Sequence, residues 1–260
     1  MTTNDELGAA LLARHRARKI ELAGSCNMRD LGGLATVDGR RTRRGRVYRS
    51  DALATLTDAD CARLAALGIR AVYDFRTDEE RARAPNRVDS LSLVQHTRGF
   101  IPRGNPEMFV AVNARQLTAA SARATMIEQY ARLALDHTEH YAWVFRRLLS
   151  DDGAPAILHC ASGKDRTGVG VALLLLAVGV TREEVLEDYA ISHYQRRPVD
   201  MFRDTAVAEA VEEIMSAHVD YLAAGLAAIE REHGSLDAFI ARGLGLTRAE
   251  REALIELLVE

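Results

Sequence analysis

Ile157-Leu158-His159-Cys160-Ala161-Ser162-Gly163-Lys164-Asp165-Arg166-Thr167-Gly168-Val169-Gly170 is the stretch that decides the fold. Pro155, Ala156, Ile157 and Leu158 make an apolar run of strand length, and Cys160 stands at its end. From Thr167 onward, Gly-Val-Gly-Val-Ala-Leu-Leu-Leu-Leu-Ala-Val has the apolar density of a core helix. A strand that feeds a helix through a short glycine-containing loop gathers backbone N–H groups into one concavity. Such a concavity suits a phosphate dianion. The expected fold is a three-layer α/β arrangement with a mostly parallel central sheet and this loop at a strand's carboxyl end.

The residue types in the loop fit one chemistry. A thiol of pKa about 8.5 is mostly protonated at neutral pH, and N–H dipoles with a nearby cation favour the thiolate. Cys160 is therefore a candidate nucleophile: attack on phosphorus leaves a phosphocysteine and divides one hard hydrolysis into two steps. Arg166, six positions on, is a candidate bidentate clamp on the phosphoryl oxygens. Thr167 can donate to the departing sulfur in the second step. Asp165 is the acid inside the loop, able to give a proton to the leaving oxygen and then take one from water. His159 can hold the loop, while Ala161, Ser162 and Gly163 supply N–H groups; Gly163 and Gly168 leave room for close approach. Lys164 adds a second cation, to bind a further anionic group or to tune Asp165. The reaction so drawn needs no metal and no other cofactor.

Competing readings of the loop fit less well. A nucleotide-binding loop needs Gly-x-x-x-x-Gly-Lys-Ser/Thr, but Asp165 follows Gly163-Lys164 and the upstream glycine is missing. Zinc needs more thiol or imidazole ligands than His159 and Cys160 offer. A sulfurtransferase carries a cysteine on a similar loop without a need for Lys164-Asp165-Arg166-Thr167. A merely structural cysteine does not require Cys, Gly, Arg and Thr in register.

The loop resembles the signature of the cysteine-based protein-tyrosine phosphatases: His-Cys, five residues, Arg, then Ser or Thr. Its Gly-Lys-Asp-Arg-Thr-Gly version resembles the bacterial tyrosine phosphatases of the PtpB type, and the similarity runs from about residue 20 onward. Asn27-Met28-Arg29-Asp30-Leu31-Gly32-Gly33 is similar to a family motif, with Met28 in place of an aromatic. So are the segments Gly45-Arg46-Val47-Tyr48-Arg49-Ser50-Asp51-Ala52-Leu53 and Val72-Tyr73-Asp74-Phe75-Arg76-Thr77-Asp78-Glu79-Glu80. Asp188-Tyr189-Ala190-Ile191-Ser192 also fits, followed by His193 where the family often has Asn. The resemblance implies a single catalytic domain over residues 1–260, a phosphotyrosine protein as substrate, and a helical lid formed by residues 98–124. Phosphoinositide or dual-specificity action is the alternative within the same chemistry. No Trp-Pro-Asp segment supplies the general acid, so the resemblance implies Asp165 in that role, with Asp74 as runner-up. A phosphate-binding regulatory pseudophosphatase is the alternative from another class. It needs no nucleophile, so Cys160, Asp165 and Arg166 together weigh against it.

At 260 residues the chain can bury a sizeable core as one domain, and no repeat or linker-like segment divides it. A net charge of −3 gives no general attraction to nucleic acid or to an anionic membrane. The longest apolar stretch, residues 169–180, is too short to span a bilayer, so no membrane insertion is expected. No signal peptide is visible around Asp5 and Glu6. Three cysteines (Cys26, Cys61 and Cys160) cannot all pair, which points to a reducing, cytoplasmic setting or to export without a leader. Cys26 is a candidate partner of Cys160 in a protective disulfide, with core packing as its simpler role. The sequence sets no oligomeric state.

Along the chain, residues 6–19 are expected to form a helix with Arg14, Arg16, Arg18 and Lys19 on a solvated face. Thr57-Asp58-Ala59-Asp60 reads as a capping box opening a helix to Leu67. Residues 69–75 and 91–96 read as strands, and 78–83 as a helix stopped by Pro85. Residues 98–124 hold Pro102, Gly104, Pro106 and an Ala/Ser/Thr-rich run, so a surface insertion competes with the lid. Residues 126–149 suggest one long or broken helix with core aromatics. After a capping box at Thr181-Arg182-Glu183-Glu184 the chain reads as helical to Glu260, broken at Gly234 and Gly243-Leu244-Gly245. Asn27, Arg29, Asp30 and Arg76 are expected to brace the scaffold.

Overall fold

The structure is a computed structural model describing residues 4–197, 202–203 and 206–260. Its strands are β1 (Arg29–Asp30), β2 (Val47–Ser50), β3 (Ala71–Asp74), β4 (Val94–Thr97) and β5 (Ala156–His159). They form one sheet in the order β1-β2-β5-β3-β4. β1 runs antiparallel to β2, and every other pairing is parallel. β5 is central and wholly buried. Its register aligns His159 with Ser50 of β2 and with Asp74 of β3, so three strand ends meet at one edge. That edge is where an open parallel sheet presents its ligand site.

Strand alternation sorts side chains onto two cores. Tyr48, Val72 and Ile157 face one of them, which also holds Met28 and Leu53. Following α1 (Asn4–His15), α2 (Asp58–Ala66) covers that core with Cys61 and Leu64. Thr57 and Asp60 close its capping box. Val47, Ala71, Tyr73, Ala156 and Leu158 face the other, larger core. After the short α3 (Asp78–Arg83), that side is built by α4 (Asn105–Asn113), α5 (Ala119–Asp136), α6 (Thr138–Leu148) and α7 (Asp165–Ala177). It is completed by α8 (Arg182–Tyr194), α9 (Ala208–Met215), α10 (Val219–His233), the single turn α11 (Leu236–Ala238) and α12 (Arg248–Leu258). The architecture is therefore three-layered, with a mostly parallel sheet between unequal helical layers. Every residue of α7 after Asp165 is buried, as the apolar run from Val169 onward requires.

Several expectations shift in detail. The strands expected over 69–75 and 91–96 are Ala71–Asp74 and Val94–Thr97. The helix expected over 126–149 divides at His137 into α5 and α6. The Ala/Ser/Thr-rich run expected to belong to an insertion is instead the start of α5, capped by Thr118, whose small side chains hide the helical period. The basic face over residues 6–19 needs a correction: Arg18 follows α1 in a tight turn and is buried. Its guanidinium pairs with Asp188 of α8 at 2.9 Å. A buried carboxylate draws the arginine inward, which one-dimensional charge patterning cannot register. Of the expected helical remainder, residues 198–201 and 204–205 lie outside the described residues; the expected breaks fall at Gly234, with φ +84, and around Gly245, and unexpected ones separate α8 from α9 and, at Ser216–His218, α9 from α10.

Candidate active site

β5 ends at His159, and the loop after it folds onto the end of β2. The Ala52 N–H donates to the Ala161 carbonyl at 2.9 Å. Arg49 Nη2 donates to the Gly163 carbonyl at 2.6 Å, and Asn27 Nδ2 to the Ser162 carbonyl at 3.1 Å. Three loop carbonyls are thus held by the scaffold. The N–H groups of Ala161, Ser162 and Gly163 find no protein acceptor among the described residues. Gly163 has φ +69, and a Cβ there would collide with the Ser50 carbonyl, so this turn requires glycine. Threonine side chains cap α2, α3, α5, α8 and α12, whereas α7 opens at Asp165 without a side-chain cap. Free N–H groups and a helix N-terminus together form an anion cradle.

Cys160 lies at the base of this cradle, 2% exposed. Thr167 Oγ1 is buried and has no hydrogen-bond partner among the described residues. His159 is held away from the cradle, with Nδ1 donating to the Cys160 carbonyl at 3.1 Å and Nε2 at 3.4 Å from Asp74 Oδ2. Asp74 also binds Arg76 at 2.8 Å. Burial opposes the Asp74 charge, but His159 and Arg76 outweigh it and keep the carboxyl below its usual range. Asp74 is thus a strand-end brace, absent from the cavity wall.

Arg166 is gripped from outside the loop. Nη1 and Nη2 donate to Glu80 Oε2 and Oε1, each at 2.6 Å, and Nη1 also reaches the Phe75 and Phe100 carbonyls. Burial opposes the Arg166 charge, yet the bonds to Glu80 and the proximity of Cys160 and Asp165 raise its pKa above the ordinary value. Glu80 shows the converse: burial pushes it up, and Arg166 brings it below its ordinary value. A planar fork held at both nitrogens is pre-aimed, which costs less ordering when an oxyanion arrives. Glu80→Gln should therefore lower kcat/KM for an aryl phosphate by roughly 10- to 100-fold, the equivalent of one charge-assisted hydrogen bond. Steady-state kinetics at pH 7 would check this.

Asp165 and Lys164 are also engaged. The Tyr130 hydroxyl donates to Asp165 Oδ1 at 2.7 Å. Lys164 Nζ lies 3.2 Å from the same oxygen and donates to the Ile214 and Ser216 carbonyls at the end of α9. The Lys164 charge thus sits beside Asp165, with α9 carbonyls as its other partners. Beneath the loop, Arg18, Arg29 and Arg49 converge on Asp188 at 2.6 to 3.0 Å. Burial alone would raise the Asp188 pKa; the three arginines hold it well below the usual carboxylate range. Asp30 instead accepts from the Gly32 and Gly45 N–H groups, bracing the connection from β1 to β2.

The cradle opens into a cavity of 470 Å³. Ala161, Ser162, Lys164, Asp165 and Arg166 form one wall, with Ile101, Pro102, Phe109 of α4 and Met215 of α9 among the apolar residues opposite. Gly168 lies within α7 instead, where an added Cβ would press on the Tyr189 ring at 3.0 Å. All three cysteines are free. Cys26 Sγ donates to Asp51 and to the Gln195 carbonyl at 3.3 Å. Burial and then Asp51 push this thiol up to about 12, which makes it a poor thiolate. Sequence reasoning missed Glu80, Tyr130 and the role of Asp188. Of these, Glu80 left a signal in the Thr77–Glu80 capping box, which the structure contains.

The family described as the tyrosine phosphatase family matches residues 20–260. The chain belongs to the tyrosine phosphatase family. It is accordingly a protein-tyrosine phosphatase, a hydrolase. A Cupriavidus necator protein, whose name assigns it provisionally as a tyrosine-protein phosphatase, is 32% identical over 86% of this chain and 83% of its own. The Mycobacterium tuberculosis triple specificity protein phosphatase PtpB is 29% identical over 88% of this chain and 95% of its own. A Nostoc commune tyrosine-protein phosphatase is 29% identical over 79% of this chain and 71% of its own. The crystal structure of Pseudomonas aeruginosa TpbA aligns at 18% identity and a TM-score of 0.30 over 71% of this chain and 86% of that one. Among the described residues, no helix of this phosphatase is long and apolar enough to cross a membrane.

Proposed function

We propose that this phosphatase is of the PtpB type and hydrolyses protein phosphotyrosine through a phosphocysteine on Cys160. It rests on one observation: the N–H cradle between Cys160 and the Arg166–Glu80 fork, open to the cavity. In the first step Cys160 Sγ bonds to phosphorus, the bond to the leaving oxygen breaks, and Asp165 gives that oxygen its proton. Arg166 and the loop N–H groups follow the charge on the equatorial oxygens. In the second step water attacks phosphorus as Asp165 takes its proton and the S–P bond breaks. The unpartnered Thr167 hydroxyl supplies a donor for the returning thiolate. His159 braces the loop, Ala161, Ser162 and Gly163 belong to the phosphate cradle through their backbone, and Gly168, expected there, instead lets α7 pack against Tyr189.

Residues 1–260 form one catalytic domain in this proposal. Within residues 98–124, α4 and the segment before it roof the cavity and serve as the lid that excludes water. The three free thiols suit a reducing cytoplasm.

A broader, phosphoinositide or dual-specificity action has one supporting observation. The 470 Å³ cavity is of a size that holds drug-sized ligands, beyond what a phenyl phosphate fills. The buried ammonium of Lys164 favours phosphotyrosine, since α9 carbonyls and Asp165 already surround it. Acid quench during turnover of a phosphotyrosine peptide should trap phosphate on the Cys160 peptide. In parallel, phosphate release should rank phosphotyrosine above phosphoserine and phosphoinositide. No trapped phosphate and no release from any of the three would favour a pseudophosphatase.

A further inference from the structure

Two buried phenols end in a hydrogen-bond chain on the loop acid. The Tyr189 hydroxyl donates to the Tyr130 oxygen at 2.7 Å, and the Tyr130 hydroxyl donates to Asp165 Oδ1 at 2.7 Å. Lys164 Nζ, 3.2 Å away, faces the same Oδ1. Among the described residues no donor reaches Oδ2, although the Asp165 side chain is 26% exposed on the cavity wall. The two carboxylate oxygens are therefore not equivalent.

We infer that Tyr130 and Tyr189 are positioning residues that anchor Asp165 through Oδ1, leaving Oδ2 to exchange the proton with leaving group and water. This rests on Asp165 as the proton carrier. A carboxylate held at one oxygen by the Tyr130 hydroxyl, with the Lys164 ammonium paired to the same oxygen, cannot turn without losing both contacts, so the free oxygen keeps a fixed aim. In the first step the proton on Oδ2 passes to the leaving oxygen as the P–O bond breaks and the S–P bond forms. In the second, Oδ2 takes a proton from water as the new P–O bond forms and the S–P bond breaks.

The phenols are built for constancy. Tyr130 and Tyr189 are 0% and 1% exposed, their rings packed edge to face at 5.8 Å. The bare Cα of Gly168 makes room for the Tyr189 ring. Burial, with Asp165 nearby, raises both well above the ordinary phenol value, so both stay neutral donors at any working pH. An ammonium alone could hold Oδ1 electrostatically, but it lacks the directional O–H that fixes the carboxylate plane.

Tyr130→Phe, Tyr189→Phe and Asp165→Asn would be compared on a phosphotyrosine peptide and on a fluorinated aryl phosphate whose leaving phenol is acidic. Only the first needs a proton at its leaving oxygen. Tyr130→Phe should lower kcat on the peptide about tenfold, the scale of one hydrogen bond to a charged group, and on the activated ester by less than about twofold. Tyr189→Phe should show the same split at about threefold. Inorganic phosphate binding, read by thermal shift, should match the parent in each correctly folded variant. Equal losses on both substrates, or no loss on either, for Tyr130→Phe would overturn the inference. Should that variant fail to fold, Tyr189→Phe decides by the same split. A selective loss in Asp165→Asn without one in the tyrosine variants sinks the positioning role alone; a uniform loss in Asp165→Asn sinks the role of Asp165 and the inference together.

Discussion

Cys160→Ser should abolish phosphate release while the loop still binds an oxyanion. A serine hydroxyl is a far weaker acid than a thiol, so no anionic nucleophile forms at neutral pH, and Asp165 must keep its own proton for the leaving oxygen in that step. Loss of a nucleophile costs about 10,000-fold or more in kcat. Binding should survive, because its donors are the loop N–H groups and the guanidinium of Arg166, which Glu80 holds in place regardless of residue 160. Turnover of a phosphotyrosine peptide and calorimetric binding of inorganic phosphate measure the two properties separately. Affinity should stay within about tenfold of the parent. A serine variant that turns over within tenfold of the parent would remove Cys160 from the chemistry.

Asp188→Asn should be the most destabilising single change beneath the site. Its carboxylate is 1% exposed and is the shared partner of Arg18, Arg29 and Arg49. Removing one partner of a buried ionic cluster typically costs about 3–5 kcal/mol, because the charges left behind stay buried. For a chain of this length the melting temperature should fall by roughly 10 °C or more. The pH dependence has a definite sign. The folded pKa of Asp188 is depressed, so its contribution is complete above an unfolded carboxylate's value of about 4. It is lost progressively as pH falls below that value towards the folded one. Urea titrations between about pH 6 and pH 3 should show the gap between parent and variant narrowing at the acid end. A gap that stays constant, or widens, would mean that Asp188 is not the ionised hub of the cluster.

The most legible features are local in sequence. Cys160, Asp165 and Arg166 lie within seven residues, from the end of β5 to the first turn of α7, so strand, turn and helix signals overlap there, and the α2 capping box marked that helix start. The central sheet was legible as a class, since apolar runs alternating with helical segments imply parallel strands. Its strands are too short for their ends to be read, β1 having only two residues. Invisible in the sequence were contacts set by topology alone. Glu80 meets Arg166 across 86 positions, and Arg18 meets Asp188 across 170. No periodicity marks such a pair. A tyrosine in a helical pattern likewise reads as core, and Tyr130 is core; only its hydroxyl, aimed at Asp165, gives it a second role.

Glu80 also has two duties at once. While its carboxylate steers Arg166, its Oε2 accepts from the Thr77 N–H and so closes the first turn of α3. That helix has six residues and none of them is fully buried. It belongs to the class of segments that open without the rest of the molecule unfolding. Such an opening would remove the carboxylate that aims the arginine and leave it only the Phe75 and Phe100 carbonyls, with Cys160 and the sheet still in place. If Arg166 clamps the phosphoryl group as proposed, turnover depends on the local stability of one surface helix as well as on that of the whole fold.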